Sequence, residues 1–261
     1  MGPSLFSSDL EVFARPVAPW LLGSHLDMLH ESPLAMGIAW ERDHVYWVFG
    51  GYLETITRYD FVEDHGVGHD DHSNGVIRHH GSGVVRRESG VPSHLAFHAP
   101  SGELFIADTG NRRVLALDTR SGTLGAAGPG WEAGVDTRWV DDPSFRTVVP
   151  EGLIERPSGL TLAEEHLIVG DHATGIVHVL TLAGEGVETI DTGVGPDALM
   201  GLTIGPDGGL YAVDAAVGRV LHVATGVTAG RGSGAPTLAA EAPPTIPPAG
   251  AQHDHVDGRR P

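Results

Sequence analysis

Short apolar runs, each closed off by Gly, Asp, Asn or Pro, recur along most of the chain, and sustained helical periodicity is missing. This is the punctuation of β-strands and tight turns. Four segments can be laid over one another: AMGIAWERDHVYWVFGGYLETITRYDF (35–61), SHLAFHAPSGELFIADTGNRRVLALD (93–118), SGLTLAEEHLIVGDHATGIVHVLTL (158–182) and MGLTIGPDGGLYAVDAAVGRVLHVAT (200–225). Each offers an apolar strand, a tight turn, a second strand ending in Asp or Gly, a short loop and a third strand. A fourth strand fits in the gap that follows: GVIRHH after the first segment, RTVV after the second and GVETI after the third.

Four antiparallel strands per repeat is the arrangement of a β-propeller blade, so the fold class expected is all-β, with four recognisable four-stranded blades. The stretch VPSHLAFHAPSGELFIADTGNRRVLALD resembles an NHL repeat, whose pattern runs P-x-G-[IL]-A, then D-G-x-L-[YF]-V-A-D, then N-x-R-[VI]. The last repeat matches it in MGLTIGPDGGLYAVD and GRV, the other two more loosely. The resemblance covers about residues 34–225. It implies a propeller of the kind that includes SMP-30-like lactonases and the peptidylglycine amidoglycolate lyase domain. Such propellers usually carry six blades, so a compact four-bladed ring and part of a six-bladed one both stay open.

Residues 1–33 are expected to hold a strand, DLEVFA (9–14), that completes the last blade and closes the ring, and a helical turn or two in WLLGSHLDMLHE (20–31). Closure of that kind removes exposed edges. The stretch GTLGAAGPGWEAGVDTRWVDDPSF (122–145) has room for a strand pair, but its Gly and Asp content argues for an insertion. From residue 226 the chain is Gly-, Ala- and Pro-rich, with APPTIPPAG at its centre, the composition of a disordered tail.

Charge narrows the partners. The formal net charge is −18, which repels phosphate backbones and anionic lipid and attracts cations. Nucleic acid is therefore not expected as a partner; a protein or small-molecule ligand is left open. No apolar run reaches transmembrane length and the N-terminus shows no signal-peptide pattern, so a soluble chain without membrane insertion is expected. There is no cysteine and no lysine, which excludes disulfides, thiol nucleophiles, Walker A loops and Schiff-base chemistry.

Candidate chemistry follows from which side of a propeller each loop occupies. With strands A to D running outward from the axis, the D–A and B–C connections share one face and the A–B and C–D connections the other. The first of these faces is where NHL-like propellers usually bind ligands. There the strand-A starts align as Met36-Gly37, Ser93-His94, Ser158-Gly159 and Met200-Gly201. Gly stands three times where His94 stands once, so the position is crowded and His94 projects at the channel mouth, as packing or as a ligand or base. His172 and one of His25 or His30 could join it around Zn²⁺ or Cu²⁺, with Asp108 and Asp171 oriented behind them. The plainer role for Asp108, Asp171 and Asp214 is to accept backbone N–H bonds and shape the B–C turn. Arg112 and Arg113 are expected to pair with acids between blades. The histidine-dense DFVEDHGVGHDDHSNGVIRHH (60–80) falls in a C–D connection, on the other face. It could be a loop without metal, a structural Ca²⁺ site at Asp64, Asp70 and Asp71, or a transition-metal site at His65, His69 and His72. His79 and His80, neighbours on a strand, must point to opposite sides. The lyase resemblance would want histidines where Met36, Ser93, Ser158 and Met200 stand, and the lactonase resemblance an acid at the strand-A starts, and neither is present. The function expected is therefore a binding or interaction module, with a metal-dependent hydrolase or lyase at the channel mouth as the alternative.

Overall fold

The computed structural model describes residues 3–6, 25–66, 73–131 and 133–223. Among these residues the protein is all-β, in five sheets. A short antiparallel ribbon pairs β1 (Ser4–Phe6) with β2 (His25–Met28). The first large sheet is built from β3 (Ala35–Arg42), β4 (Val45–Gly50), β5 (Thr55–Asp60) and β6 (Val76–His80). The second holds β7 (Leu95–His98), β8 (Glu103–Asp108), β9 (Arg113–Asp118) and β12 (Phe145–Val149). The third holds β13 (Pro157–Ala163), β14 (His166–Asp171), β15 (Ile176–Thr181) and β16 (Gly186–Asp191). The last holds β17 (Leu199–Ile204), β18 (Leu210–Asp214) and β19 (Arg219–Val223). Each quoted repeat thus becomes one antiparallel meander, and the fourth strands fall where GVIRHH, RTVV and GVETI stand.

The insertion at 122–145 does contain a strand pair. β10 (Thr123–Ala127) and β11 (Asp136–Asp141) form a hairpin, and β11 lies parallel to β6. The chain therefore leaves the second sheet after β9, adds two strands to the edge of the first, and returns as β12. The pattern gave little sign of this because β10 has almost no buried side chains. Its pairing comes from the backbone, which composition does not report.

The large sheets stack face to face in chain order. β3 packs on β7, β7 and β8 pack on β13, and β13 and β14 pack on β17, a propeller-like succession. Strand β8 shows why the runs look continuously apolar. Leu104 and Ile106 enter the core shared with Trp47, Phe49 and Ile56 of the first sheet, whereas Phe105 and Ala107 enter the core shared with Leu160, Leu167 and Val169 of the third. A strand buried on both faces has no polar side to show. The third and last sheets share Ile168, Val177, Leu199, Leu202 and Leu210.

The ends of the stack differ. The outward face of the first sheet is covered at Val48, Tyr59 and Ile77, which cluster with Leu29 beside β2 and with Leu5 of β1. The described N-terminal strands therefore serve the first sheet. The strand expected at 9–14 lies outside the described residues, as does the tail from 226. Of 20–31, the stretch expected to hold a helical turn or two, the first five residues lie outside the described ones, and His25–Met28 is a strand, where pairing with β1 decides the conformation. On the last sheet, Val213 and Val220 remain exposed.

One backbone bond recurs in every repeat. The B–C turn donates an N–H to a carbonyl of the preceding D–A connection: Gly51 to Leu34 (3.0 Å), Gly110 to Arg86 (2.8 Å), His172 to Arg156 (2.9 Å) and Ala215 to Ala198 (2.9 Å). Between repeats, the strand-A starts meet backbone to backbone. Ser93 N–H donates to Met36 O and His94 N–H to Ser158 O, both at 3.0 Å. Glycine makes this approach possible. A Cβ on Gly37 would land on the Ser93 carbonyl, and one on Gly159 would lie 2.6 Å from Met200 O and 2.7 Å from Leu202 N.

Gly37→Ala and Gly159→Ala should each destabilise the protein by about 1–3 kcal/mol, the usual cost of overpacking against backbone that cannot yield. Gly186→Ala, which meets nothing within 4 Å, should be close to neutral. Urea midpoints at constant slope check this; equal midpoints for all three variants would contradict it.

Candidate functional site

At the strand-A mouth the side chains of Ser93, Thr109, Ser158 and His172 bind one another and the backbone. Thr109 donates its hydroxyl to Pro157 O at 2.7 Å and lies 2.7 Å from Ser93 Oγ. Ser158 Oγ–H donates to Met200 O at 3.1 Å. The His172 ring is buried, and its Nδ1–H donates to Leu199 O at 2.9 Å. His94 is half-buried beside Gly201, where a Cβ would stand 3.2 Å from its Cε1. The alternation of three glycines with one histidine is thus a space relation: Gly201 leaves room for the His94 ring. Burial pushes the His94 pKa below its ordinary value.

The aspartates at the ends of strands B are clasps. Asp108 accepts Arg86 N–H (2.7 Å), Asn111 Nδ2–H and Arg113 Nε–H (2.8 Å). Asp171 accepts the N–H groups of Arg156 (2.9 Å), Glu155 (3.1 Å) and Ala173 (3.0 Å). Asp214 accepts Ala216 N–H (3.1 Å) and Arg219 Nε–H (3.0 Å). None of the bonds shown for Asp108 or Asp171 goes to a histidine. Arg113 pairs with the acid of its own turn and also donates to the Val84 carbonyl at 2.7 Å, while Arg112 donates to the Glu155 carbonyl at 2.9 Å.

Among the described residues, no three His, Asp or Glu side chains are gathered as a metal site needs. His30 is half-buried between β2 and β3, and the His25 side chain lies outside the described residues, as do His69, Asp70, Asp71 and His72. Asp64 accepts Gly66 N–H at 2.8 Å. His65 bridges Asp27 Oδ1 (2.9 Å) and Asn74 Oδ1 (2.8 Å), tying this C–D connection to β2.

His79 and His80 do point to opposite sides. His79 is fully buried between Glu31 Oε2 and Thr57 Oγ1, each at 3.0 Å. His80 packs on Trp47 with ring centroids 5.1 Å apart and faces an open cleft of about 600 Å³ between the first and second sheets. The cleft lies on the A–B and C–D side, bounded by Glu41 and Arg42 after one strand A, Ala99 after the next, and Thr119–Gly122 leading to β10. Phe97, Leu124 and Val140 form apolar wall, and four arginines, Arg42, Arg58, Arg78 and Arg120, form the charged part with a single acid, Glu41.

These arginines are arranged by register. Arg58 on β5 sits directly opposite Arg78 on β6, and Arg78 directly opposite Arg138 on β11. Like charges in register oppose sheet formation. Acids offset part of this. Glu41 accepts Arg58 Nε–H at 3.0 Å and Trp47 Nε1–H at 2.7 Å, and Asp136 accepts Arg78 at 2.6 Å. Arg42 is well exposed and its acid contacts are 3.4 and 3.5 Å, while Arg120 pairs with no acid among the described residues. Sequence reasoning missed this site. Its signal was an arginine in the middle of two successive strands, TITRYDF and GVIRHH, in a chain where acids outnumber bases 34 to 16.

No known protein family and no curated protein matches the chain. Solved structures match it distantly. The luciferin-regenerating enzyme is 13% identical with a TM-score of 0.43, over 66% of this chain and 50% of that one. The β-propeller domain of Cps50 from Myceliophteria thermophila is 11% identical with a TM-score of 0.41, over 74% and 50%. Virginiamycin B lyase from Staphylococcus aureus is 15% identical with a TM-score of 0.36, over 74% and 71%. The chain thus spans about half the length of the first two.

Burial lowers the His80 pKa from 6.5 to about 4; carbonyls of Arg78 and Ile56 oppose the shift, while Arg58 and His79 add to it. With the folded value below the unfolded one, the stability due to neutral His80 is present above pH 6.5 and lost as pH falls toward 4. The loss should total about 3 kcal/mol across that window. His65 acts in the opposite direction: burial lowers its pKa, but Asp27 and Asn74 raise it further. His80→Phe, which keeps a ring on Trp47, should therefore flatten the acid dependence between pH 7 and 5 in urea titrations. An unchanged slope would contradict the buried neutral state.

Proposed function

We propose that the protein is a binding module on an NHL-like propeller scaffold, with its ligand seat in the cleft between the first and second sheets. In this reading the four large sheets are blades of one ring, and the strand-A mouth is a structural junction. One contrast carries the proposal. Apart from His94, the polar side chains described at the mouth are bonded to backbone and to each other, whereas those of the cleft border open space of a size that holds a small ligand.

The alternative, a metal-dependent hydrolase or lyase at the mouth, would place His94, His172 and His30 or His25 around one Zn²⁺ or Cu²⁺. It has less behind it, since Asp108 and Asp171 already hold turn N–H groups and arginine.

Ligand-observed NMR against a library of small fragments tests the choice. Binders should be lost when Ala99→Trp fills the cleft and kept in His94→Ala. Elemental analysis should find no stoichiometric Zn, Cu or Ca in the purified protein. Binders kept in Ala99→Trp, together with one metal per chain that disappears in His94→Ala, would overturn the module in favour of the enzyme.

A further inference from the structure

We infer that the cleft selects an organic anion, a carboxylate or phosphate head on the arginines with an apolar body against Phe97, Leu124 and Val140. The inference rests on the cleft being the ligand seat and adds the class of ligand. Two independent observations support it. The first is the ladder Arg58–Arg78–Arg138, three like charges in register across β5, β6 and β11, of which Arg58 and Arg78 line the cleft. Such a row is unfavourable unless anions lie along it. Glu41, Asp60 and Asp136 supply some, and Asp136 is shared between Arg78 and Arg138. The second is the pair of guanidinium groups at the rim. Arg42 and Arg120 line the same cleft, the first held only by long, exposed contacts and the second with no acid partner among the described residues.

Guanidinium forks match carboxylate and phosphate oxygens in plane and spacing, which a lysine would not do as well. Around the site the chain as a whole carries a net charge of −18, so a local excess of cations is a departure from its own background. The apolar wall then separates an organic anion from a bare inorganic one, because a small ion leaves Phe97 and Val140 facing water.

Two dyes with nearly the same body test this. The probe 1-anilinonaphthalene-8-sulfonate carries an anionic head, and N-phenyl-1-naphthylamine lacks it. In fluorescence titrations the full chain should bind the anionic dye at least about tenfold more tightly, the effect of one or two charged hydrogen bonds. Arg42→Gln with Arg120→Gln, both at the exposed rim, should remove that preference, and Ala99→Trp should abolish binding of both dyes. Displacement of the dye by citrate or by pyrophosphate distinguishes a carboxylate from a phosphate ligand. Equal binding of the two dyes, both lost in Ala99→Trp, would overturn the anion and leave the cleft as a seat. A preference that survives the double arginine variant would overturn it too. Dye binding untouched by Ala99→Trp would remove the cleft itself.

Discussion

Backbone contact at the strand-A starts is the constraint on which the rest of the structure depends. Met36, Ser93 and Ser158 stand at equivalent places in three repeats, and hydrogen bonds from Ser93 and His94 join the three in turn. The bonds require near-contact of main chains, and Gly37 and Gly159 permit it. Once sheets are held this closely, their faces can share cores, and strands such as β8 become apolar on both sides. The aspartate clasps follow from the same demand. Each D–A connection must deliver the next strand A at a fixed height, and Asp108 and Asp171 fix it by accepting N–H groups of that connection. Buried carboxylates are tolerated where several donors surround them. The mouth is therefore crowded with polar residues for a structural reason.

On the opposite side of the stack a cleft opens between the first and second sheets. The insertion between β9 and β12 takes advantage of this. By crossing to the edge of the first sheet it brings Arg138 and Val140 beside Arg78, and its entry, Thr119–Gly122, closes the cleft against the second sheet. A cleft built from two sheets and a connecting segment has its shape set by strands, which hold side chains more firmly than a loop alone.

Much of this was legible in the sequence because it depends on local pattern. Strand order, the fourth strands and the turn aspartates all follow from apolar runs and turn residues. The opposite directions of His79 and His80 follow from the pleat. What was not legible depends on pairing partners far along the chain. Arg58 and Arg78 become neighbours only through the β5–β6 register, and Arg138 joins them only because β11 returns to β6 in parallel. The strand at His25–Met28 exists through β1, whose three residues carry no recognisable signal. The histidine-rich stretch is a case of its own. It left a loop without metal, a Ca²⁺ site and a transition-metal site open; the described histidines His65, His79 and His80 have separate partners, and His69, Asp70, Asp71 and His72 lie outside the described residues.

Those separate partners explain how the cleft wall is fixed from behind. His79 and His80 leave β6 on opposite faces. Glu31 lies behind the sheet and binds His79 Nε2 at 3.0 Å, Thr137 Oγ1–H at 2.8 Å and Trp131 N–H at 3.3 Å. Thr137 belongs to β11 and Trp131 to the loop before it, so one buried carboxylate joins the N-terminal segment, the original edge strand and the inserted hairpin. Thr57 completes the chain through His79 Nδ1 at 3.0 Å. A buried carboxyl group with this many partners resists displacement, since removing any one of them leaves a polar group unpaired in a low-dielectric interior. The inserted hairpin is consequently part of the core on one face and part of the cleft on the other. The same two strands that carry Arg78 and Arg138 into the ladder are anchored by the residues next to them, His79 and Thr137, and it is this alternation along β6 and β11 that lets a row of like charges be held in place.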